Sequence, residues 1–342
     1  MTNIAIIGAG GFGTALAKLL AEKKHTISIW AYEKEVVKEI NSKHTNSVFL
    51  PKVKFPKSIK ASTELQTICE TAEVVLFVTP SSHLLTLAKL VKPFTSKRTK
   101  IACATKGFIS IKNKTSLIIP ALETIFTDHI ERITYISGPT HAEEIAEEKY
   151  SGITVACENK LLRHYFQELF NTKFLRVHRT EDIVGAQVGA ATKNIIAIFY
   201  GILDGLKKTQ SNIGDNTMSY VYARGLVEIE RIGQLFGHQN PCTYLGLTGA
   251  GDLLVTCQSQ YGRNRQFGYE IVTKKLLSKY KTFDNTLKNI SYLPEGAYAL
   301  KIIMNMKKNK TNIKTPLIDT LWSIINNGKN PQRAIEEYMR EL

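Results

Sequence analysis

The chain has 342 residues, enough for two domains and a sizeable buried core. Apolar residues make up 43% and charged residues 22%, ordinary globular usage that excludes disorder, collagen-like repeats and low complexity. The 45 Lys+Arg against 30 Asp+Glu leave a net charge of +15. That excess is spread along the chain, with one denser patch at Lys307, Lys308 and Lys310 and no RNA-binding signature or zinc finger, so it reads as a surface bias and not as a nucleic-acid site.

The N-terminus, MTNIAIIGAGGFG, has no basic n-region and runs straight into a glycine-rich turn, unlike a secretory signal. No apolar run approaches the ~20 residues of a membrane span; the uncharged stretch at 195–203 is far too short. A cytoplasmic protein without integral membrane contact is expected. Cys69, Cys103, Cys157, Cys242 and Cys257 are scattered and lack a CxxC pair, so they read as reduced, mostly buried thiols. The eight histidines show no ligand spacing, and no metal is expected.

In chain order, residues 4–7 form a predicted strand, 12–23 a helix and 26–30 a second strand. Residues 42–57, with Pro51 and Pro56 and no clear period, read as a surface excursion. Strands are predicted at 59–61, 74–78, 101–104 and 133–136, with helical stretches between most of them. Such alternation predicts a parallel sheet covered on both faces. From about residue 181 the pattern is helical: 181–206, 217–236, 265–279, 295–306, 316–325 and a short helix after Pro331. The expected organisation is a doubly wound α/β domain at 1–184 and an all-helical domain at 185–342.

Gly8-Ala9-Gly10-Gly11-Phe12-Gly13 is GxGxxG between a predicted strand and a predicted helix. Glycines there permit a tight turn and close backbone approach to a pyrophosphate, and the helix N-terminus favours the anion. Twenty residues beyond Gly13 stands Glu33, between Tyr32 and Lys34. An acid there suits the ribose hydroxyls of NAD and a base the 2′-phosphate of NADP, so Glu33 and Lys34 pull opposite ways.

Lys106 follows the strand at 101–104, on the edge where parallel sheets bind ligands. Ser137-Gly138-Pro139-Thr140 follows another strand, and Thr140 with Glu143 reads as a capping box. In IVGAQVGAATKNIIAIFYGIL, Lys193 is the lone charge among Gly189, Ala190, Ile196 and Ala197. A lysine on so small and apolar a face is a candidate for proton transfer. Asp252, in LTGAGDL, needs a partner, which a substrate hydroxyl or a lysine would supply. Arg263 and Arg265 in GRNR have the forked geometry that grips phosphate.

With these motifs in order, the chain resembles the NAD(P)-dependent glycerol-3-phosphate dehydrogenases. The matching pieces are GAGGFGTALA at 8–17, Thr105-Lys106-Gly107, SGPTHAEEIA at 137–146 and GAATKNIIAI at 189–198. Asn216, YARGLVEIERIG at 222–233, GLTGAGDLLVTC at 246–257, GRNR at 262–265 and Pro294-Glu295-Gly296 continue the series. The resemblance implies a Rossmann domain followed by a helical substrate-binding and dimerisation domain, in a homodimer. It implies reversible reduction of dihydroxyacetone phosphate to sn-glycerol 3-phosphate with NADH or NADPH, supplying the backbone for glycerophospholipids.

By the same resemblance Lys193 is the general acid/base, and Lys106 binds and polarises the substrate. Gly138, Thr140, Asn194, Asp252, Gly262, Arg263 and Asn264 are implied substrate contacts. Cofactor contacts are implied at Gly8, Gly10, Gly11, Phe12, Gly13, Tyr32, Glu33, Phe49, Lys106, Ala142, Arg263, Leu293 and Glu295. Three departures stand out: Gly262 for the usual bacterial Ser, Phe49 for Tyr, and Tyr32-Glu33 where many bacterial members carry His or Arg. The last leaves NAD against NADP open. Two rival readings are a dehydrogenase of β-hydroxy or sugar acids and a non-catalytic NAD(P)-sensing regulator, which would need neither Lys193 nor Lys106.

Overall fold

Short β-branched runs separated by apolar-striped stretches set up the first half of the computed structural model, which describes residues 1–111, 114–210, 212–238, 240–259, 262–309 and 313–340. Lys310 of the lysine patch lies outside the described residues. The chain divides into two compact units, Met1–Ile183 and Val184–Leu342.

The first unit runs β1 (Asn3–Ile7), α1 (Gly11–Glu22), β2 (Thr26–Trp30), α2 (Lys34–Lys43), β3 (Thr45–Asn46), β4 (Leu50–Lys54), β5 (Lys60–Ser62), α3 (Leu65–Cys69), β6 (Val74–Phe77) and α4 (Ser81–Val91). It continues with β7 (Lys100–Cys103), β8 (Ile109–Ile111), β9 (Lys114–Ser116), α5 (Ile118–Glu123), β10 (Ile133–Ser137), α6 (Ala142–Ala146), β11 (Ser151–Ala156), α7 (Lys160–Phe170) and β12 (Leu175–Thr180). Eight strands form one sheet in the order β12-β11-β10-β7-β6-β1-β2-β5. From β10 to β5 all are parallel; β11 runs antiparallel to β10, and β12 parallel to β11. Register pairs Ile6 with Ile29 and Leu76, and Leu76 with Ala102.

Strands covered on both faces must be apolar at every position, and Val-Val-Leu-Phe of β6 is buried throughout. One face packs Ile4, Ile6, Ile29 and Leu76 beneath α1, α2, α6 and α7. On the other, Phe77 meets Phe126, just after α5, at 6.0 Å between ring centroids. β11 and β12 escaped sequence reading because polar residues interrupt both, as in Leu-Arg-Val-His-Arg-Thr.

The stretch at 42–57 is not a plain surface loop. β3 and β4 pair as an antiparallel ribbon, and Asn46, Leu50 and Phe55 are buried. The expected Thr140 capping box does not form either. The Thr140 hydroxyl donates back to the Gly138 carbonyl at 3.3 Å, and the N-cap position of α6 falls one residue later, at His141.

The second unit is helical: α8 (Ile183–Lys207), α9 (Asp215–Leu235), α10 (Asp252–Gln258), α11 (Arg263–Thr273), α12 (Leu276–Tyr280), α13 (Phe283–Asn289), α14 (Glu295–Asn309), α15 (Pro316–Ile325) and α16 (Pro331–Arg340). A π-helical turn, Leu247–Gly251, leads into α10. The single helix expected at 265–279 is two, because Lys275 takes a left-handed φ of 49° and breaks the ladder.

α8 is its central element. It is long and apolar enough, by length and composition, to cross a membrane, contrary to the sequence reading, because Lys193 interrupts an otherwise uncharged run. Within the fold 89% of that apolar window is buried, so its hydrophobicity is spent on packing. Glycines let its neighbours approach to backbone contact: a Cβ at Gly268 of α11 would collide with the Ile198 carbonyl, and one at Gly189 with that of Thr248.

Candidate active site

In the first unit, the turn that links β1 to α1 follows directly from its glycines. Gly8 has φ 121°, and a Cβ there would strike the Val78 carbonyl. A Cβ at Gly13 would strike the Gly8 carbonyl oxygen, so the end of β1 and the start of α1 come this close only because Gly13 lacks one. Gly10 differs: a Cβ there would meet nothing within 4 Å. The turn therefore borders open space at the N-terminus of a 12-residue helix whose first N–H groups have no intrahelical partner. Partial positive charge, backbone donors and an open cradle are what a dinucleotide pyrophosphate requires, so the residues present fit that group.

Two further predicted cofactor residues meet the start of α1. A Cβ on Gly11 would lie 2.8 Å from the Phe49 carbonyl oxygen and 3.3 Å from the Ala142 Cβ. Phe12 packs part-buried against the core. Tyr32, 80% exposed, and Glu33 stand on the surface after β2, with Glu33 at the N-cap position of α2.

Lys106, Gly138 and Thr140 are also brought together. Lys106 Nζ donates to the Gly138 carbonyl at 3.2 Å, and the Thr140 hydroxyl donates to the same oxygen. Gly138 needs its φ of 139° to make that turn beyond β10. All three lie past the carboxyl ends of β7 and β10, on the ligand-binding edge of a parallel sheet.

In the second unit, Lys193 does not snorkel to solvent. It is 6% exposed, and its Nζ forms an ion pair with Asp252, itself fully buried. The same Nζ donates to Thr256 Oγ1 at 2.8 Å, and that hydroxyl donates to the Asp252 carbonyl at 2.6 Å. Thr256 escaped sequence reading; its i,i+4 spacing from Asp252 on α10 was the available signal. Burial drives the neighbouring Cys257 thiol far up, and the Lys193 charge pulls the other way.

Asn194, Asn264 and the start of α14 form a second cluster. A Cβ at Gly296 would collide with the Asn194 carbonyl, and the Gly296 N–H donates to Asn264 Oδ1 at 2.9 Å. That bond leaves the Asn264 amide with N–H groups to offer, the polarity a phosphate accepts. Leu293 precedes α14 and Glu295 is its first residue. Arg263 is exposed as the first residue of α11, with Gly262 at the N-cap. Arg265 does not share its suggested role. Its guanidinium is committed to Asp204 and to the Gln258 carbonyl, 2.7 Å away.

The N-terminal family model of NAD-dependent glycerol-3-phosphate dehydrogenase matches residues 3–162, and the C-terminal model matches 182–336. A glycerol-3-phosphate dehydrogenase (NAD(P)+) from Treponema denticola is 39% identical, covering 99% of this chain and 98% of its own. One from Enterococcus faecalis is 36% identical over 98% of this chain and 95% of its own. A crystal structure of glycerol-3-phosphate dehydrogenase from Coxiella burnetii superposes with a TM-score of 0.86 at 30% identity, covering 99% of this chain and 98% of that one. The chain, matched along both halves, belongs to the NAD-dependent glycerol-3-phosphate dehydrogenase family.

Proposed function

We propose that this chain catalyses the reversible NAD(P)H-dependent reduction of dihydroxyacetone phosphate to sn-glycerol 3-phosphate, with Lys193 as its general acid/base. The observation that carries the assignment of Lys193 is its ammonium group, buried mid-helix and held by Asp252 and Thr256. When bound, the nicotinamide cofactor supplies the hydride. Lys193 Nζ gives its proton to the alkoxide that forms at the substrate's central carbon, and takes it back in the reverse direction. Asp252 and Thr256 each hold the ammonium, and so fix where Nζ stands.

Lys106 and Asn194 stabilise the developing negative charge, and Arg263 and Asn264 anchor the phosphate. Gly138, Thr140, Asp252 and Gly262 complete the substrate contacts. Residues 1–184 bind the dinucleotide through Gly8, Gly10, Gly11, Phe12, Gly13, Tyr32, Glu33, Phe49, Lys106 and Ala142. Residues 185–342 bind the substrate, add Arg263, Leu293 and Glu295 to the cofactor contacts, and form the dimer. The division into two compact units supports this assignment of roles. The enzyme works as a cytoplasmic homodimer that feeds glycerophospholipid synthesis.

The test is oxidation of NADH and of NADPH, followed by nicotinamide absorbance, on addition of dihydroxyacetone phosphate. Rapid oxidation establishes the reaction, and the ratio of the two rates gives the preference that Tyr32, Glu33 and Lys34 leave open. No oxidation by a folded, dinucleotide-binding protein would overturn the substrate assignment.

A further inference from the structure

Asn46 is the least expected polar residue in the first unit. It lies on the ribbon strand β3, far from the glycine-rich turn in sequence, yet it is completely buried against that turn. Its Nδ2 donates to the Ala9 carbonyl at 2.8 Å and to Thr14 Oγ1 at 2.9 Å. The Thr14 hydroxyl donates to the same Ala9 carbonyl at 3.1 Å. Asn46 Oδ1 accepts the Phe49 N–H at 3.3 Å, which ties down the tip of the ribbon.

A buried amide so placed costs free energy unless its bonds are made, and here they converge on one oxygen. The Ala9–Gly10 peptide is trans, so its C=O and N–H point in opposite directions. Two donors that hold the Ala9 oxygen inward therefore aim the Gly10 N–H outward, on the side away from Asn46. Gly10 is the residue whose missing Cβ leaves open space.

We propose that Asn46, seconded by Thr14, is a positioning residue for dinucleotide binding. It locks the Ala9–Gly10 peptide so that the Gly10 N–H is presented to the pyrophosphate before the ligand arrives. Without that lock the peptide rotates among orientations, and binding has to select the competent one. Through Phe49 the same side chain holds the ribbon against the start of α1. The proposal rests on the dinucleotide reading of the glycine-rich turn.

The test is calorimetric titration of the full chain with NADH and with ADP-ribose, which carries the pyrophosphate but no nicotinamide. Asn46→Asp keeps the side chain's shape and its acceptor for Phe49, but sets an oxygen against the Ala9 carbonyl. Its Kd for both ligands is expected to rise about ten-fold, the size of one lost buried hydrogen bond. Thr14→Val is expected to weaken both by about three-fold, and Thr14→Ser, which keeps the hydroxyl, to restore wild-type affinity. In turnover the Asn46→Asp KM for NADH should rise by the same factor while that for dihydroxyacetone phosphate moves less than about two-fold.

Dissociation constants within two-fold of wild type in the folded variants would overturn the proposal while leaving the dinucleotide reading intact. If Asn46→Asp does not fold, the Thr14 pair decides by the same criterion. A wild-type chain that binds neither NADH nor ADP-ribose would overturn both.

Discussion

Lys193 and Asp252 form a buried ion pair, and such a pair is poor evidence of stabilisation. Burying two charges costs several kcal/mol of desolvation, which apolar side chains of similar volume would avoid. Its presence in the middle of α8 is better explained by chemistry than by packing. Lys193→Ala is therefore expected to lower kcat by at least ~10²-fold while NADH still binds. Near-wild-type turnover would remove Lys193 from the acid/base role. Arg263, exposed at the start of α11, should act on binding more than on chemistry. Arg263→Ala should chiefly raise the KM for dihydroxyacetone phosphate, and an unchanged KM would take it out of the phosphate site. Lys193 was legible at this scale because one charge in an apolar helical face is conspicuous. Thr256 and Asn46 were not, because an isolated Thr or Asn looks the same whether it caps, coordinates or faces water.

Among the elements, α15 shows how far a cap can come from its helix. Its first N–H groups, on Leu317 and Ile318, donate to the two carboxyl oxygens of Glu228 on α9, at 2.7 and 3.0 Å. Burial pushes the Glu228 carboxyl up to about 7 from the ordinary 4.5, against the pull of those two N–H bonds. Below pH 4.5 the group is protonated whether the chain is folded or not. Between 4.5 and about 7 the folded chain keeps a proton that the unfolded chain has released, so stability falls as pH rises through that window. The loss attributable to Glu228 reaches about 3 kcal/mol above pH 7. Glu228→Gln has no charge to bury. Its stability relative to wild type, from urea unfolding, should improve by about that amount between pH 5 and pH 8. A difference that stays flat across this range would show that Glu228 ionises without cost.

Over the whole molecule, four of the five cysteines are shut inside the two units, and Cys242 is exposed. Burial pushes the Cys69 and Cys103 thiols up to about 12, which leaves almost no thiolate at neutral pH. An aromatic disulfide reagent at pH 8 should titrate one thiol in the native protein and five in denaturant. Rapid reaction of more than one native thiol would mean that a core opens on the timescale of the assay. The expectation of reduced, mostly buried thiols needed only their scatter and number. Which one is exposed depends on how the second unit folds around the turn that carries Cys242.

The alternation of the parallel strands with helices, the helical second half, the glycine-rich turn and the family followed from the chain alone, because each rests on local spacing: period two, period 3.6, or glycines at fixed offsets. The tertiary structure decided what depends on residues far apart in sequence. It turned the stretch at 42–57 into a ribbon seated on the glycine-rich turn, and paired Lys193 with Asp252 across 59 positions. It withdrew Arg265 from the phosphate by giving it Asp204, 61 positions away. A hydrogen bond or ion pair has no periodicity, so nothing in the one-dimensional pattern records which partners folding will bring within 3 Å of each other.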